Sequence, residues 1–339
     1  MRARAAKAAT SAPYVTRRIG LVSLIDEEAV AIIERNADRI LDETGMEFRG
    51  DLETLELFRA HGARVDGERV RFDPGWCRDR IRTAPSVFTQ HARNPARSVR
   101  IGGRAQVYAP SFGPPFVHDM EKGRRYATLE DFRKITKLHY QLGAVNHSGG
   151  VVVEPVDVPV PLRHLHMAHA HLTMNDKPFM GAVTAPARAR DTIEMCRIAM
   201  GADFVDENCV LYSVVNTNAP LVMDETMLGA LKEYALARQC TVVSPFVLGG
   251  AMSPVSVAAT LAQVLAQDGG ADVRHAGRHP VPDVRQDACG PPRPAVPFGR
   301  GAHRLQGPGC AGRIRKPGPA HGGRAGRGQF HHPCNGLPR

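Results

Sequence analysis

Apolar residues recur along this chain in two rhythms. In the stretch SLIDEEAVAIIERNADRILDETG, Val30, Ile33, Ala37, Ile40 and Leu41 fall at helical spacing with charged residues between them. That spacing predicts an amphipathic helix, opened by a capping box at Ser23 and Asp26 and closed by Gly45. TLEDFRKITKLHYQLG repeats the device, with Thr128 and Asp131 as the box. The second rhythm is a short apolar run bounded by turn residues: AQVYAPSFG, VNHSGGVVVEP, PFMGAVT, CVLYSVVNTN and TVVSPFVLGG. Each run leads through a polar or glycine-rich turn into a helical pattern, as at DETMLGALKEYALARQ from Asp224 to Gln239. Such alternation predicts an α/β architecture, a parallel sheet covered by helices. No phosphate-binding glycine fingerprint follows the first run, so a (β/α)8 barrel of the TIM type is expected over a doubly wound sheet. Only five to six of its eight strands can be counted, so the barrel is expected to be incomplete on its C-terminal side and preceded by an N-terminal helical extension.

Both rhythms stop after Gln267. Residues 268–339 hold 15 of the 33 glycines and 11 of the 26 prolines, no Glu, and five residues in all among Ile, Leu, Met, Phe, Tyr and Trp. A stretch so poor in apolar surface cannot offset its ordering entropy, so it is expected to be disordered. The net charge of +10 invites a nucleic-acid partner. Yet the tail carries 12 Lys and Arg against 4 acids, leaving 32 against 30 upstream, so the basicity belongs to the tail and not to the patterned region.

Arg, Gly, Pro and Ala are also what a GC-rich gene yields when it is read in the wrong frame. With the frame moved forward by one base, QFHHPCNG permits NFIIHATG, and residues 299–318 permit VGGLTGSKVPDAQAAYESL. A cap-like serine, helix formers and an apolar strand return. The tail is therefore expected to be out of frame. His331, His332 and Cys334, which look like a fragment of a metal site, lie inside it, and no metal role is assigned to them.

Composition narrows the class further. No run of about eighteen apolar residues exists, so no membrane-spanning helix is expected. Seven cysteines without regular spacing argue against a disulfide framework and for a reducing, cytoplasmic setting. The basic start MRARAAKAATSAPYVTRR lacks the apolar segment of a secretory signal, and residues 1–19 are expected to be a disordered basic arm.

Residues 20–267 resemble the trimethylamine methyltransferase family, the corrinoid-dependent methyltransferases of methylamines and quaternary amines. The resemblance rests on LDETGMEF, HGARVDGERVRFDP, TAPSVFTQHARNP, GPPFVHDMEKGRRYATLEDF, LRHLHMAHAHLTMNDKPFMGA and SPFVLGGAMSPVSVAATLAQVLAQ. The shifted tail reads like the family's late segment. The resemblance implies a barrel that moves a methyl group from an amine to the cobalt of a corrinoid (cobalamin) carried by a partner protein, with no cofactor held by this chain itself. It implies a small methylated amine as substrate and is compatible with a homo-oligomer.

In that chemistry the nucleophile belongs to the partner, and this chain must position the amine and make it a good leaving group. A quaternary ammonium can be held by aromatic faces or a carboxylate. In a barrel the residues available are those at the C-terminal ends of strands. For substrate that rule selects Tyr108, Phe112, Glu154, Tyr212, Asn216, Asn218 and Phe246, with Ser244 beside them. For the approaching corrinoid it selects His147, Gly249 and Gly250. Each has an ordinary alternative: core packing for the aromatics, a solvated carboxylate for Glu154, caps for the asparagines, a plain turn for the glycines. No residue is singled out as catalytic. RHLHMAHAHL places His166 and His169 on one helical face, and His164 and His171 two turns apart on another, with no third ligand or supporting shell for zinc. Surface histidines, or a face docking the corrinoid partner, are the readings left open. A corrinoid-independent barrel enzyme acting on a small amine and a basic nucleic-acid-binding protein are the alternative functions.

Overall fold

The computed structural model describes residues 13–19 and 25–269. Strand β1 (Val15–Thr16) precedes α1 (Glu27–Arg39), which runs into a π-helical turn at Ile40–Thr44. Then come β2 (Met46–Arg49), α2 (Leu52–Ala60), β3 (Arg64–Asp66), β4 (Arg69–Arg71) and α3 (Trp76–Ile81). The middle of the chain holds β5 (Val87–Gln90), β6 (Val99–Gly102), β7 (Ala105–Gln106) and a hairpin, β8 (Phe116–Asp119) with β9 (Gly123–Tyr126). Next are α4 (Leu129–Gln141), α5 (Val160–Met174), β10 (Phe179–Met180), α6 (Pro186–Met200) and α7 (Ala202–Glu207). Strands β11 (Leu211–Thr217) and β12 (Val222–Asp224), helix α8 (Glu225–Leu236), β13 (Cys240–Pro245) and α9 (Val257–Gly269) complete the order.

The apolar runs at 178–184, 209–218 and 241–250 become a three-stranded parallel sheet in the order β10-β11-β13. Alternation along β11 splits its side chains between the two faces of the sheet. Leu211 and Val215 pack outward against the helices, while Tyr212 and Val214 face inward with Met180, Cys240 and Val242. The run at 145–155 forms no named strand, but it extends the wall through single backbone bonds. Ser148 N donates to Pro178 O and Met180 N to Gly149 O, both at 2.8 Å, and Asn146 N donates to Tyr108 O at 2.8 Å. Among the described residues the wall stays open. No closed barrel forms, and the far edge of β13 has no partner strand.

The N-terminal region is mixed and not simply helical. Strands β2, β4 and β3 pair with β12 in the order β12-β2-β4-β3, so a segment beyond β11 completes a sheet begun before residue 50. Phe48, Phe58 and Phe72 form its aromatic centre, with ring centroids 4.6 and 5.1 Å apart for the pairs Phe48–Phe58 and Phe58–Phe72. That centre is continuous with Val215, Met223, Val243 and the apolar face of α9. Gly45 closes the first helical segment as expected. Its φ is +74°, and a Cβ there would lie 2.4 Å from Val70 O, so only glycine fits. The opening of α1 differs from the expected box: Asp26 is itself the cap, accepting from Ala29 N at 2.8 Å. Ser23 lies outside the described residues.

The cap of α4 is as the sequence predicts. Thr128 Oγ1 accepts from Asp131 N at 3.3 Å, and the Asp131 carboxylate accepts from Thr128 N at 2.9 Å. At the other end of α4, Lys177 is buried and donates to the carbonyls of His139, Leu142 and Val145; burial pulls its ammonium down to about 8. Thr128→Ala is expected to cost about 1 kcal/mol, measurable as a shift of the urea midpoint with unchanged slope.

Helix α9 is anchored by Gln267. Its Oε1 accepts from Leu221 N at 3.2 Å and its Nε2 donates to Thr217 Oγ1 at 3.1 Å, with the residue fully buried. The patterned region thus packs as structure up to the point where its rhythm ends. Of the tail expected to be disordered, 268–339, Asp268 and Gly269 instead end α9, and residues 270–339 fall outside the described residues. Of the basic arm 1–19, residues 1–12 fall outside them, while Val15 and Thr16 are ordered by antiparallel pairing with β7. No helix among the described residues is long and apolar enough to cross a membrane.

Candidate active site

Parallel strands place their C-terminal ends on one side, and there the inner face of the wall becomes accessible. Asn216 stands opposite Ser244 in the β11–β13 register, one step beyond the half-buried pair Val214 and Val242. Asn216 is exposed. Phe246 follows Ser244 by two residues and is 53% exposed. The chain leaving β7 carries Tyr108 and Phe112, 47% and 44% exposed, alongside residues 146–154. Gly113 N donates to Val151 O at 2.7 Å, and Glu154 N to Pro114 O at 2.9 Å. Phe112 rests directly on bare backbone: a Cβ added at Gly150 would lie 2.8 Å from Phe112 Cε2 and 2.9 Å from Met180 Cβ.

Beneath this rim the inner face of the wall is filled by packed side chains. Met180 pairs in register with Tyr212, which is buried with its ring centroid 6.4 Å from that of His147. His147 accepts from Gly149 N at its Nδ1 (3.0 Å), so its Nε2 carries the hydrogen and donates to Gln90 Oε1 at 3.1 Å. Gln90 Nε2 in turn donates to Phe179 O and Val210 O, at 3.0 and 3.1 Å. Burial first, then the nearby His171, lowers the His147 pKa to about 3. The ring is therefore neutral, with both nitrogens engaged inside the wall.

The remaining candidates are occupied locally. Glu154 receives Arg163 Nη1 at 2.5 Å. Asn218 donates to Asp224 Oδ2 at 2.9 Å and forms a backbone bridge with Val222. Gly249 and Gly250 form an exposed turn in which Gly250 N donates to Ser253 O at 2.9 Å. A Cβ at Gly249 would meet only Thr260 Oγ1, at 3.7 Å, so the turn leaves room for close approach without shaping a cradle.

Sequence reasoning missed Gln90, Ser148 and Met180 and did not separate His171 from its neighbours. In α5, His166 and His169 are exposed, while His164 and His171 are buried. His164 Nε2 meets Asp191 Oδ2 of α6 at 2.8 Å. Among the described residues no cluster fit for a metal ion occurs. Cys196 and Cys209 are buried thiols pushed up to about 12, and Cys240 is likewise raised by burial, so none of the three supplies a thiolate at neutral pH. Grooves of 340 and 450 Å³ lie between α2 and α8 and between α1 and α9, and no residue of the rim lines either.

The trimethylamine methyltransferase (MTTB) family model matches residues 1–268. The chain belongs to the trimethylamine methyltransferase family. The family match ends where the sequence rhythm ends. A glycine betaine methyltransferase of Desulfitobacterium hafniense (strain Y51) is 39% identical over 249 residues, 72% of this chain and 52% of that protein. A proline betaine:corrinoid methyltransferase of Eubacterium limosum is 32% identical over 129 residues, 37% of this chain and 25% of that one. This family member thus spans about half the length of the first curated relative and a quarter of the second. Among solved structures, the hydroxylamine MtmB complex aligns with a TM-score of 0.50 at 12% identity, covering 74% of this chain and 52% of the other. That likeness is one of fold alone.

Proposed function

We propose that this family member is part of a methyltransferase that moves a methyl group from a quaternary amine, such as glycine betaine, to the cobalt of a corrinoid held by a partner protein. The observation that carries the reading is the 39% identity with a glycine betaine methyltransferase over 249 residues. The corrinoid supplies the nucleophile, and this chain's residues hold and orient the amine. Tyr108, Phe112 and Phe246 present half-open aromatic faces suited to a cation, and Asn216 and Ser244, paired at the strand ends, offer polar groups suited to a substrate carboxylate. Glu154, the carboxylate among these candidates, is committed to Arg163. The arrangement therefore suits a substrate that brings its own positive charge and leaves as a neutral amine, needing no protein acid. Trimethylamine would first need protonation. Of the corrinoid-facing candidates, the open Gly249–Gly250 turn fits close approach and the buried His147 does not.

We read the open wall as part of a (β/α)8 barrel whose remaining strands were lost when the frame changed near codon 267. Resequencing the gene there tests this directly, since an intact reading frame would end the idea. The function is tested by adding glycine betaine and a Co(I) corrinoid protein to the chain and to its frame-restored form, following the visible spectrum of the corrinoid. The restored chain is expected to methylate the cobalt; its failure with both glycine betaine and trimethylamine would overturn the assignment.

A further inference from the structure

The segment under Phe112 is held from the helical side by one side chain. His171, in α5, is buried at Nε2···O 2.8 Å from the Gly150 carbonyl and Nδ1···Oγ 2.6 Å from Ser148. A carbonyl can only accept, so Nε2 carries the hydrogen and Nδ1 accepts from the Ser148 hydroxyl. The ring has one orientation open to it: it stacks on Phe179 at 5.3 Å and takes Phe132 on its edge at 5.2 Å. The same peptide segment is fixed from the other side, where Met180 N donates to Gly149 O and His147 accepts from Gly149 N. Gly150 is thus clamped at its carbonyl, while its bare Cα bears the Phe112 ring and the Met180 side chain.

We propose that His171, through its hydrogen bond to the Gly150 carbonyl, is a positioning residue that seats the Phe112 ring at the amine-binding rim. This rests on the reading of Phe112 as a face for the substrate cation. His171 touches no substrate. It fixes the height and tilt of the backbone on which the aromatic face lies, and a cation–π contact falls off steeply when the ring tilts or retreats. Gly150 does the complementary work, since any side chain there would lift the ring off its seat.

The test is a double-mutant cycle on the full chain. Glycine betaine is titrated calorimetrically into the wild type, Phe112→Ala, Gly150→Ala, His171→Phe and the two doubles with Phe112→Ala. The 13C-labelled Met180 methyl signal is recorded for each. His171→Phe keeps the stacking and loses both hydrogen bonds; Gly150→Ala gives an independent arm should that variant fold poorly. Each single change is expected to weaken binding about tenfold, the scale of one lost cation–π contact. The doubles are expected to bind no more weakly than Phe112→Ala alone, and His171→Phe is expected to move the Met180 signal toward its position in Phe112→Ala. Losses that multiply in the doubles, or an unmoved Met180 signal, overturn the proposal. A wild type and a frame-restored chain that both bind neither glycine betaine nor trimethylamine overturn the functional reading instead, while the Met180 signal still reports whether His171 seats the ring.

Discussion

Gln239→Leu is expected to lower the stability of the fold by on the order of 5 kcal/mol. Gln239 precedes β13 and is fully buried. Its Oε1 accepts from the backbone N–H of Val210 and Leu211, at 2.8 and 2.9 Å, at the start of β11. Its Nε2 donates to Val205 O, Asn208 O and Ala237 O, at 2.9, 3.1 and 3.0 Å, where α7 and α8 end. One amide thus engages five main-chain groups where β11 and β13 meet α7 and α8, its two N–H hydrogens shared among the three carbonyls. Leucine has the bulk and none of the hydrogen bonds, so those groups are left buried without partners. An unmade buried bond costs about 1–3 kcal/mol, and partial relaxation recovers some of the total. Gln239→Glu is expected to be as damaging, because it turns three carbonyls toward an anion. Exposed Asn218 provides the comparison: Asn218→Ala is expected to change stability by about 1 kcal/mol or less. Urea unfolding followed by circular dichroism measures all three. A Gln239→Leu midpoint close to that of Asn218→Ala would show that the amide is not the junction described.

Acidification is the second large effect. Burial holds His147 at about 3 and His171 at about 4, against an ordinary value of 6.5. Folded, both stay neutral through the mildly acidic range; unfolded, both take up protons below about 6.5. Their contribution is therefore complete above pH 6.5 and is lost as the pH falls toward 4. At pH 5 each costs about 2 kcal/mol, or about 4 kcal/mol together. Half-buried His139 is also lowered, first by burial, and adds in the same direction. The carboxylates act in a different window. Asp131, held down by Arg125, contributes above its ordinary 3.8 and loses that contribution only below it. Between pH 7 and 5 the histidines therefore dominate. The melting temperature is expected to drop steeply over that interval, and His171→Gln is expected to remove about half of the slope. Equal melting temperatures at pH 5 and pH 7 would contradict the buried neutral rings.

Strands β11 and β13 were legible because each is apolar enough to be buried on both faces, and the helices because their caps and periodicity agree. The run at 145–155 looked the same and is not a strand. Its backbone is shaped by His147, His171 and two glycines, and side-chain scaffolding leaves no period to read. The N-terminal sheet was invisible for another reason. Strands β2, β3 and β4 are three or four residues long and dotted with charge, and their fourth partner, β12, comes from a remote part of the chain. The strand-end rule selects Tyr108, Phe112, Asn216 and Phe246 from the ends of apolar runs, and all four are exposed. It cannot find Gln90, whose partners lie 89 and 120 positions away, since no local pattern encodes a bond of that span.

The Gln267 anchor decides where this polypeptide can be shortened. Its amide sutures the last helix to Thr217 and to the Leu221 peptide, so a cut just past residue 269 leaves the knot tied. A cut ahead of it frees the end of α9 from the junction of β11 and β12 and opens the shared aromatic centre to water. Trimming for crystallisation is therefore limited by one glutamine.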